Sequence, residues 1–249
     1  MTILDAHSHI LPAIDDGAVS VRQSVLLLNQ LEKQSAEAVA FTPHFLPQKK
    51  KLAEFLRERD DAVGLLSPAL LKKHPPIMLG AEVFLAQELF DNGDIGRLCF
   101  SGSYMLTELP TMTAWSDSIT SMLHRLIGAY GIMPVIAHAE RYANSKGAYD
   151  VMHRLVEKGC LIQMNADSLL WPFRRFMADR LCREGLVFLL GSDAHNTWFR
   201  PVRIRAAYEV VGERYPKIFE QVNHCADMII KNANWAKKGG EEKRDAEDR

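Results

Sequence analysis

Short apolar runs rich in β-branched residues alternate along the chain with longer segments in which apolar residues recur three and four positions apart. The short runs have the length and composition of buried strands, and the longer segments have the period of amphipathic helices. This alternation is typical of βα units repeated around a parallel sheet. Seven candidate strands follow from it: TILDAHS, EAVAFTPH, PIMLGAEVF, SYMLTEL, MPVIAHAE, CLIQMNA and VFLLGSDAH.

Helical periodicity predicts the segments that connect these strands. Glycine or proline marks the joints at which helix gives way to strand. Because no linker divides the chain, residues 1–235 are predicted to form one α/β domain, a parallel barrel of seven or eight strands. Residues 236–249 are highly charged and are predicted to be a disordered tail. The predicted helices cover residues 20–34, 53–73, 116–131 and 148–159, with two more over about 201–214 and 216–234.

Composition narrows the class of partner. The chain has 249 residues, 47% of them apolar, and a formal net charge of −1. This balance favours neither nucleic acid nor an anionic membrane surface as the main partner. The four cysteines lack CxxC spacing, and no signal segment or transmembrane stretch occurs. We therefore expect a cytoplasmic, reduced protein that does not insert into a membrane.

Polar side chains that can bind metal ions stand at the carboxyl ends of the predicted strands. His7 and His9 are two residues apart on the first strand, so both imidazoles point to the same side of it. The carboxyl ends of a parallel barrel open onto one face, where residues distant in sequence would meet. This strand-end set comprises His7, His9, His44, Glu82, Glu108, His138, Glu140, Asp193 and His195.

A single histidine or glutamate at a strand end is most often a capping or exposed residue, and Glu82 or Glu108 alone would favour a salt bridge. The whole set favours metal binding instead, because many imidazoles and carboxylates buried at one barrel mouth would repel one another without cations. Imidazoles mixed with carboxylates, without thiolates, favour Mn²⁺, Fe or Zn over Ca²⁺. The ligands exceed the needs of one ion, so two or three divalent ions and hydrolytic chemistry are predicted.

Six motifs, in sequence order, connect the chain to a known family. They are DAHSHILPAIDDG, FTPH, GAEV, TELP, AHAERY and GSDAHN. With them the sequence resembles the polymerase and histidinol phosphatase (PHP) superfamily over nearly all of the predicted domain. Within that superfamily it is most similar to the bacterial manganese-dependent protein-tyrosine phosphatases of capsular and exopolysaccharide synthesis. The resemblance implies a distorted (β/α)7 TIM-like barrel with a trinuclear metal site.

The same resemblance implies roles for individual residues. Arg141 and Arg200 match two arginines that the family places near the substrate phosphate. Asp16, which follows the first strand, is assigned as a ligand only by the resemblance. The chain departs from the family pattern at Phe45 and Ala139, neither of which is an expected ligand. The implied ligand groups are His7, His9, Glu82 and Asp193 for one ion, Glu82, Glu108 and His138 for a second, and Asp16, His44 and His195 for the third.

These features predict hydrolysis of phosphotyrosine on a protein by in-line attack of a metal-bridging hydroxide, with Arg141 and Arg200 neutralising the phosphoryl oxygens. The expected partner is a phosphotyrosine protein, in particular a bacterial tyrosine kinase tail.

A cysteine nucleophile is disfavoured, because it requires an arginine six residues after the cysteine. Those positions hold Met105, Ala166, Phe188 and Lys231. Two alternatives stay open. The chain could be a PHP phosphatase for a small phosphomonoester such as histidinol phosphate or a sugar phosphate, or a non-catalytic barrel that binds a kinase tail.

Overall fold

The computed structural model describes residues 1–111, 115–143, 147–171, 175–233 and 235, so the predicted tail over 236–249 lies outside the described residues. The strands in these ranges are β1 (Leu4–Ser8), β2 (Ala38–Phe41), β3 (His44–Phe45), β4 (Ile77–Leu79), β5 (Glu82–Phe84), β6 (Tyr104–Glu108), β7 (Met133–Ile136), β8 (Leu161–Asn165) and β9 (Leu189–Gly191). The α-helices are α1 (Val21–Lys33), α2 (Leu52–Leu66), α3 (Asp117–Tyr130), α4 (Ala148–Glu157), α5 (Ala166–Leu170), α6 (Arg175–Arg183), α7 (Ile204–Arg214) and α8 (Pro216–Lys231).

The strands pair in parallel in two hydrogen-bonded groups, in the orders β1-β2-β4 and β3-β5-β6-β7-β8-β9. β2 and β3 are halves of one predicted strand, interrupted at Thr42 and Pro43, and β4 and β5 are likewise interrupted at Gly80 and Ala81. Gly80 permits its break because an added Cβ would lie 2.6 Å from Cβ of Phe100. All seven predicted strands are therefore present, two of them broken.

The last strand lies against the first and closes the ring. The backbone N–H of Asp193 donates to the carbonyl oxygen of His7 over 2.8 Å, and the N–H of His9 donates to the carbonyl oxygen of Ala194 over 2.9 Å. The buried carboxylate of Asp5 adds two links, because it accepts hydrogen bonds from the backbone N–H and the hydroxyl of Ser192 over 2.7 and 2.6 Å. The prediction of a distorted α/β barrel is confirmed.

The helices follow the predicted periodicity with one wrong boundary and two omissions. α1 begins after Ser20, whose hydroxyl accepts the N–H of Gln23 and caps the helix. The prediction of a helix to residue 73 is wrong, since α2 ends at Leu66 and Pro68 opens a short 3-10 turn, Ser67–Ala69. A proline at this point cannot donate the hydrogen bond that would continue the helix. α5 and α6 were not predicted.

α8 covers the end of the barrel at which the strands begin. Oδ1 of Asn223 accepts the N–H of Thr2 over 2.7 Å, and the carbonyl oxygen of Ile229 accepts the hydroxyl of Ser101 over 2.9 Å. The helix also packs into a buried apolar cluster that includes side chains from β1, β2, β4, β6, β7, β8 and β9. The opposite end, where the strands finish, is left for polar residues. Among the described residues, the helices are too short or too polar to cross a membrane.

Candidate metal centre

Glu82, at the start of β5, lies at the centre of the polar cluster on the carboxyl side of the barrel. Its side chain is buried, and its Oε2 lies 3.1 Å from Nε2 of His7, 3.2 Å from Nε2 of His9 and 3.1 Å from Nδ1 of His44. Its Oε1 lies 2.8 Å from Nε2 of His138. Four histidines from three parts of the sequence thus meet one carboxylate.

Asp193 and Glu108 lie beside this centre, each against different histidines. Oδ1 of Asp193 lies 3.5 Å from Nε2 of both His7 and His9. Oε1 of Glu108 lies 3.6 Å from Nε2 of His138, and its side chain is partly exposed. His138 and Asp193 both have positive φ angles, of 34° and 52°. Such angles are unfavourable in residues other than glycine and are typical of functional sites.

A third group lies at the outer edge of the cluster. Oδ1 of Asp16 is 3.4 Å from Nε2 of both His44 and His195. The ring of His195 packs 4.0 Å from the ring of His9, which joins this group to the buried centre. Asp16 is the most exposed member of the cluster and comes from the loop after β1.

Acceptors behind the cluster hold two imidazoles with Nε2 pointing inward. Nδ1–H of His9 donates to Oδ2 of Asp15 over 2.7 Å, and Nδ1–H of His7 donates to Oε1 of Gln163 over 3.2 Å. Each ring therefore turns its Nε2 lone pair toward the carboxylate of Glu82. Lone pairs that face each other at such distances repel unless a proton or a cation lies near both, so the arrangement fits divalent metal ions.

The pKa values of His9 and Asp193 also indicate that the carboxylates of this site are stabilised by positive charge. Burial alone would lower the pKa of His9, but its hydrogen bond to Asp15 and its contact with Glu82 raise that pKa to about 10. Burial would raise the pKa of Asp193, yet the neighbouring His7 and His9 hold that pKa well below its usual range. The carboxylates are thus held as anions beside imidazoles that are the preferred nitrogen ligands of transition metals.

Three groups of described residues place their ligand atoms within 4.8 Å of one another, a spacing suited to cation binding. They are His9, Asp16, His44 and His195; His7, His9 and Glu82; and His44, Glu82 and Glu108. Seven of the nine residues that the resemblance implies as ligands belong to these groups, and His9, His44 and Glu82 each belong to two of them. The other two, His138 and Asp193, lie against Glu82 and against His7 and His9, so the structure brings all nine together. Glu140, although it ends a predicted strand, instead accepts a hydrogen bond from the hydroxyl of Ser168 over 2.8 Å.

The loop after β1 folds tightly over His9. The N–H of Ala18 donates to the carbonyl oxygen of His9 over 3.0 Å, and the N–H of Gly17 donates to Oδ1 of Asp15 over 2.9 Å. A Cβ on Gly17 would lie 2.2 Å from the carbonyl oxygen of His9. The DDG motif therefore has three roles: Asp15 orients His9, Asp16 faces the cluster, and Gly17 permits the close approach.

β8 carries an amide chain beside the cluster. The backbone N–H of His138 donates to Oε1 of Gln163 over 2.8 Å, which fixes the orientation of that amide. Nε2 of Gln163 then donates to Oδ1 of Asn165 over 3.0 Å, and Nδ2 of Asn165 donates to Oδ2 of Asp193 over 2.7 Å. The sequence reasoning missed Gln163 and Asn165, whose only signal is polarity within an otherwise apolar strand.

Arg141 and Arg200 lie where a cavity of about 960 Å³ meets the cluster. Both guanidinium groups pair with Oδ2 of Asp193, that of Arg141 over 3.0 Å. Nη1 of Arg200 also donates to Nε2 of His195 over 2.9 Å. Both arginines are partly exposed and keep further N–H donors for an anion in the cavity.

The fold and this cluster define a class, the PHP-type α/β barrel with imidazole and carboxylate groups that can hold metal ions. The chain belongs to the CpsB/CapC family of capsular polysaccharide synthesis, whose model matches residues 3–235.

Relatives with curated names agree with this family. The chain is 29% identical over 230 residues to the tyrosine-protein phosphatase CpsB of Streptococcus pneumoniae, a match that covers 86% of this chain and 91% of the relative. It is 26% identical over 242 residues to the tyrosine-protein phosphatase YwqE of Bacillus subtilis (strain 168), covering 92% of each.

Solved structures share the fold. A chain from the structures of the metal-dependent tyrosine phosphatases YwqE from Bacillus subtilis and CpsB from Streptococcus pneumoniae matches with a TM-score of 0.78 and 24% identity, covering 93% of this chain and 96% of that chain. The histidinol phosphate phosphatase of Lactococcus lactis matches with a TM-score of 0.54 and 13% identity, covering 89% of this chain and 94% of that chain.

Proposed function

We propose that this protein is a metal-dependent tyrosine-protein phosphatase that acts in capsular or exopolysaccharide synthesis. One observation carries the proposal: Asp193 joins the imidazole and carboxylate cluster to the two arginines at the wall of the cavity. A phosphate bound there would face cation ligands on one side and guanidinium groups on the other. The curated names of the family relatives support the same activity.

In this proposal the ligands are the nine residues of the cluster, and Mn²⁺ is the expected ion, with Fe and Zn as the other candidates. The donor set supports this choice, because it combines imidazole nitrogens with carboxylate oxygens and contains no thiolate. Glu82 would be shared between ions, since its two oxygens face different histidines. The three overlapping ligand groups support two or three ions.

Divalent cations bound here would activate water as a nucleophile and neutralise charge on the phosphoryl oxygens. The arginines would orient the phosphate, because a guanidinium group binds phosphate through paired N–H donors. Burial of His7, His9 and Glu82 excludes bulk water from the inner part of the site. The phenol of tyrosine has a pKa of about 10 and leaves with little help from an acid.

The cysteines support a mechanism without a thiolate. Burial raises the pKa of Cys99, Cys160 and Cys182 to about 12 and that of Cys225 to about 11. A nucleophilic cysteine requires the opposite shift. All four thiols are free, which suits the reducing cytoplasm, where a tyrosine kinase tail is the proposed substrate.

The test is phosphate release from a phosphotyrosine peptide by the purified full chain, with and without Mn²⁺. We expect hydrolysis that depends on added metal, is abolished by a chelator and returns with Mn²⁺. Metal content of the active protein would give the identity and number of ions. Activity unchanged by thorough chelation would contradict the metal mechanism.

Two other results would assign a different function. Faster turnover of histidinol phosphate or a sugar phosphate than of any phosphotyrosine peptide would favour a small-molecule phosphatase. Tight binding of a phosphotyrosine peptide by the metal-loaded protein without any cleavage would favour a binding module.

A further inference from the structure

The cavity beside the metal centre is bordered by exposed aromatic rings. Five large aromatic side chains are exposed in the described part of the chain, and Trp171, Phe176 and Phe199, which line this cavity, are 51%, 73% and 75% exposed. Trp198 is 74% exposed, and its ring packs 4.9 Å from that of Phe199. Three of the five exposed aromatic residues therefore line this cavity, and a fourth, Trp198, packs against one of them. Trp171, Phe176, Trp198 and Phe199 are called the aromatic rim below.

Hydrogen bonds fix the backbone of the loop that carries two of the rim residues. Oδ1 of Asn196 accepts the backbone N–H groups of Trp198, Phe199 and Arg200 over 3.3, 2.7 and 3.1 Å. The same short loop thus positions two rim residues and one of the two phosphate-facing arginines. The guanidinium group of Arg203 lies 5.6 Å from the centre of the Trp171 ring.

Size and chemistry indicate what this surface contacts. The cavity of about 960 Å³ is at the upper end of the range for sites that enclose a whole drug-sized molecule, ~300–1,000 Å³, and exceeds the needs of one phosphorylated side chain. Its lining carries the guanidinium groups of Arg141 and Arg200 together with exposed aromatic rings. Its carboxylates, Glu140, Asp167 and Asp193, are already paired within the protein. An occupant must therefore carry an anionic group with apolar groups beside it.

Resting on the proposed function, we propose that the aromatic rim binds apolar side chains next to the phosphotyrosine of a polypeptide substrate. The arginines take the phosphate, and the rim buries neighbouring residues, so the protein selects a segment of chain rather than the phosphotyrosine alone. Rings exposed to this extent keep apolar surface in contact with water, and a partner that covers them would remove that surface from water. A concave site shared with the arginines favours a peptide over a flat bilayer.

The test compares two phosphotyrosine peptides of equal length and charge, one with leucine and one with glycine on both sides of the phosphotyrosine. With the Mn²⁺-loaded full chain, we expect kcat/KM for the leucine peptide to exceed that for the glycine peptide by about tenfold, chiefly through KM. Phe176→Ala and Phe199→Ala should each bring this ratio toward one. Leu65→Ala is the matched control, because Leu65 is 64% exposed but lies on α2 and does not line the cavity.

Binding measured by fluorescence anisotropy of the labelled leucine peptide keeps this proposal separate from the proposed function. If the wild-type protein cleaves neither peptide but binds the leucine peptide in a rim-dependent way, the proposed function fails and the rim proposal stands. If both rim variants keep the wild-type ratio and peptide affinity, the rim proposal is overturned. Rim-dependent binding to phosphatidylglycerol vesicles, or rim-dependent self-association, without peptide selection would overturn it too.

Discussion

Gln163 fixes the tautomer of His7: the backbone N–H of His138 donates to Oε1 of Gln163, which identifies that atom as the amide oxygen, so Nδ1 of His7, 3.2 Å away, must be the donor. Nε2 of His7 is then the nitrogen available to a metal ion. The side-chain amide of a residue on β8 that is not an expected ligand thus determines which ring nitrogen of His7 faces the cluster.

We predict that Gln163→Leu weakens Mn²⁺ binding by about 10- to 100-fold, because His7 loses the acceptor that holds its ring. Isothermal titration calorimetry on the metal-stripped protein measures this. Gln163→Glu keeps an acceptor for His7 but cannot donate to Asn165. Its Mn²⁺ affinity should therefore lie between that of the wild-type protein and that of Gln163→Leu. Gln221→Leu is the control, because that amide bonds the carbonyl oxygens of Gly185 and Val187 on α8's side of the barrel. Wild-type affinity in Gln163→Leu would contradict the role.

Glu82→Gln should separate metal binding from folding. Glu82 contacts four histidines, so loss of its carboxylate should reduce phosphatase activity by orders of magnitude. It should also weaken metal binding by every ligand group that includes Glu82. Mn²⁺ at a hundredfold excess over its Kd stabilises a binding protein by about 2.7 kcal/mol. We expect Mn²⁺ to raise the Tm of the wild-type protein and to leave that of Glu82→Gln nearly unchanged, with similar far-UV circular dichroism. A full Tm increase in the variant would show that Glu82 is not a ligand.

The sequence predicted the barrel because its signals are local. Seven apolar runs separated by helical periods leave few arrangements other than a parallel ring. The convergence of His7, Glu82 and Asp193 followed from that ring, since residues on the carboxyl side of parallel strands share one face. The break at Gly80 was not predictable, because it depends on the packing of Phe100, which is distant in sequence.

The supporting residues of the site were harder to predict than the ligands. Gln163 and Asn165 lie within a strand whose sequence is mostly apolar, and their partners His138 and Asp193 come from the segments after β7 and after β9. The resemblance named Asp16 as a ligand, but nothing in the sequence indicated that the neighbouring Asp15 orients His9. Only the three-dimensional structure assigns each its contacts.

Arg141→Lys and Arg200→Lys should each lower kcat/KM for a phosphotyrosine peptide by about 10- to 100-fold, because lysine keeps the charge but loses the paired N–H donors that match phosphate. Mn²⁺ affinity should be retained or raised, since Asp193 loses a competing guanidinium partner. Steady-state kinetics and calorimetry on the same preparations check both parts. Arg205→Lys, at a surface arginine that pairs with Glu209 on α7, should change neither.

Gly17→Ala should disrupt His9 without changing a polar group. The new Cβ would lie 2.2 Å from the carbonyl oxygen and 2.5 Å from Cβ of His9, so the loop after β1 must move and take Asp15 with it. We expect weaker Mn²⁺ binding and reduced activity in a folded protein. Gly64→Ala is the matched control, because its added Cβ meets no atom within 4 Å and should stabilise α2 by up to ~1 kcal/mol. Equal metal affinity in the two variants would contradict this account.

Tyr208→Phe should destabilise the fold and spare the site. The hydroxyl of this buried tyrosine accepts the N–H of Leu4 and donates to the carbonyl oxygen of the same residue, both over 3.2 Å. Phenylalanine leaves both backbone groups buried without that partner, which costs about 1–3 kcal/mol. Urea unfolding of the chelator-treated protein measures the loss. Mn²⁺ affinity should stay at the wild-type value, because Leu4 begins β1 while His7 lies near its other end; a matching drop in affinity would mean that the two ends of β1 are coupled.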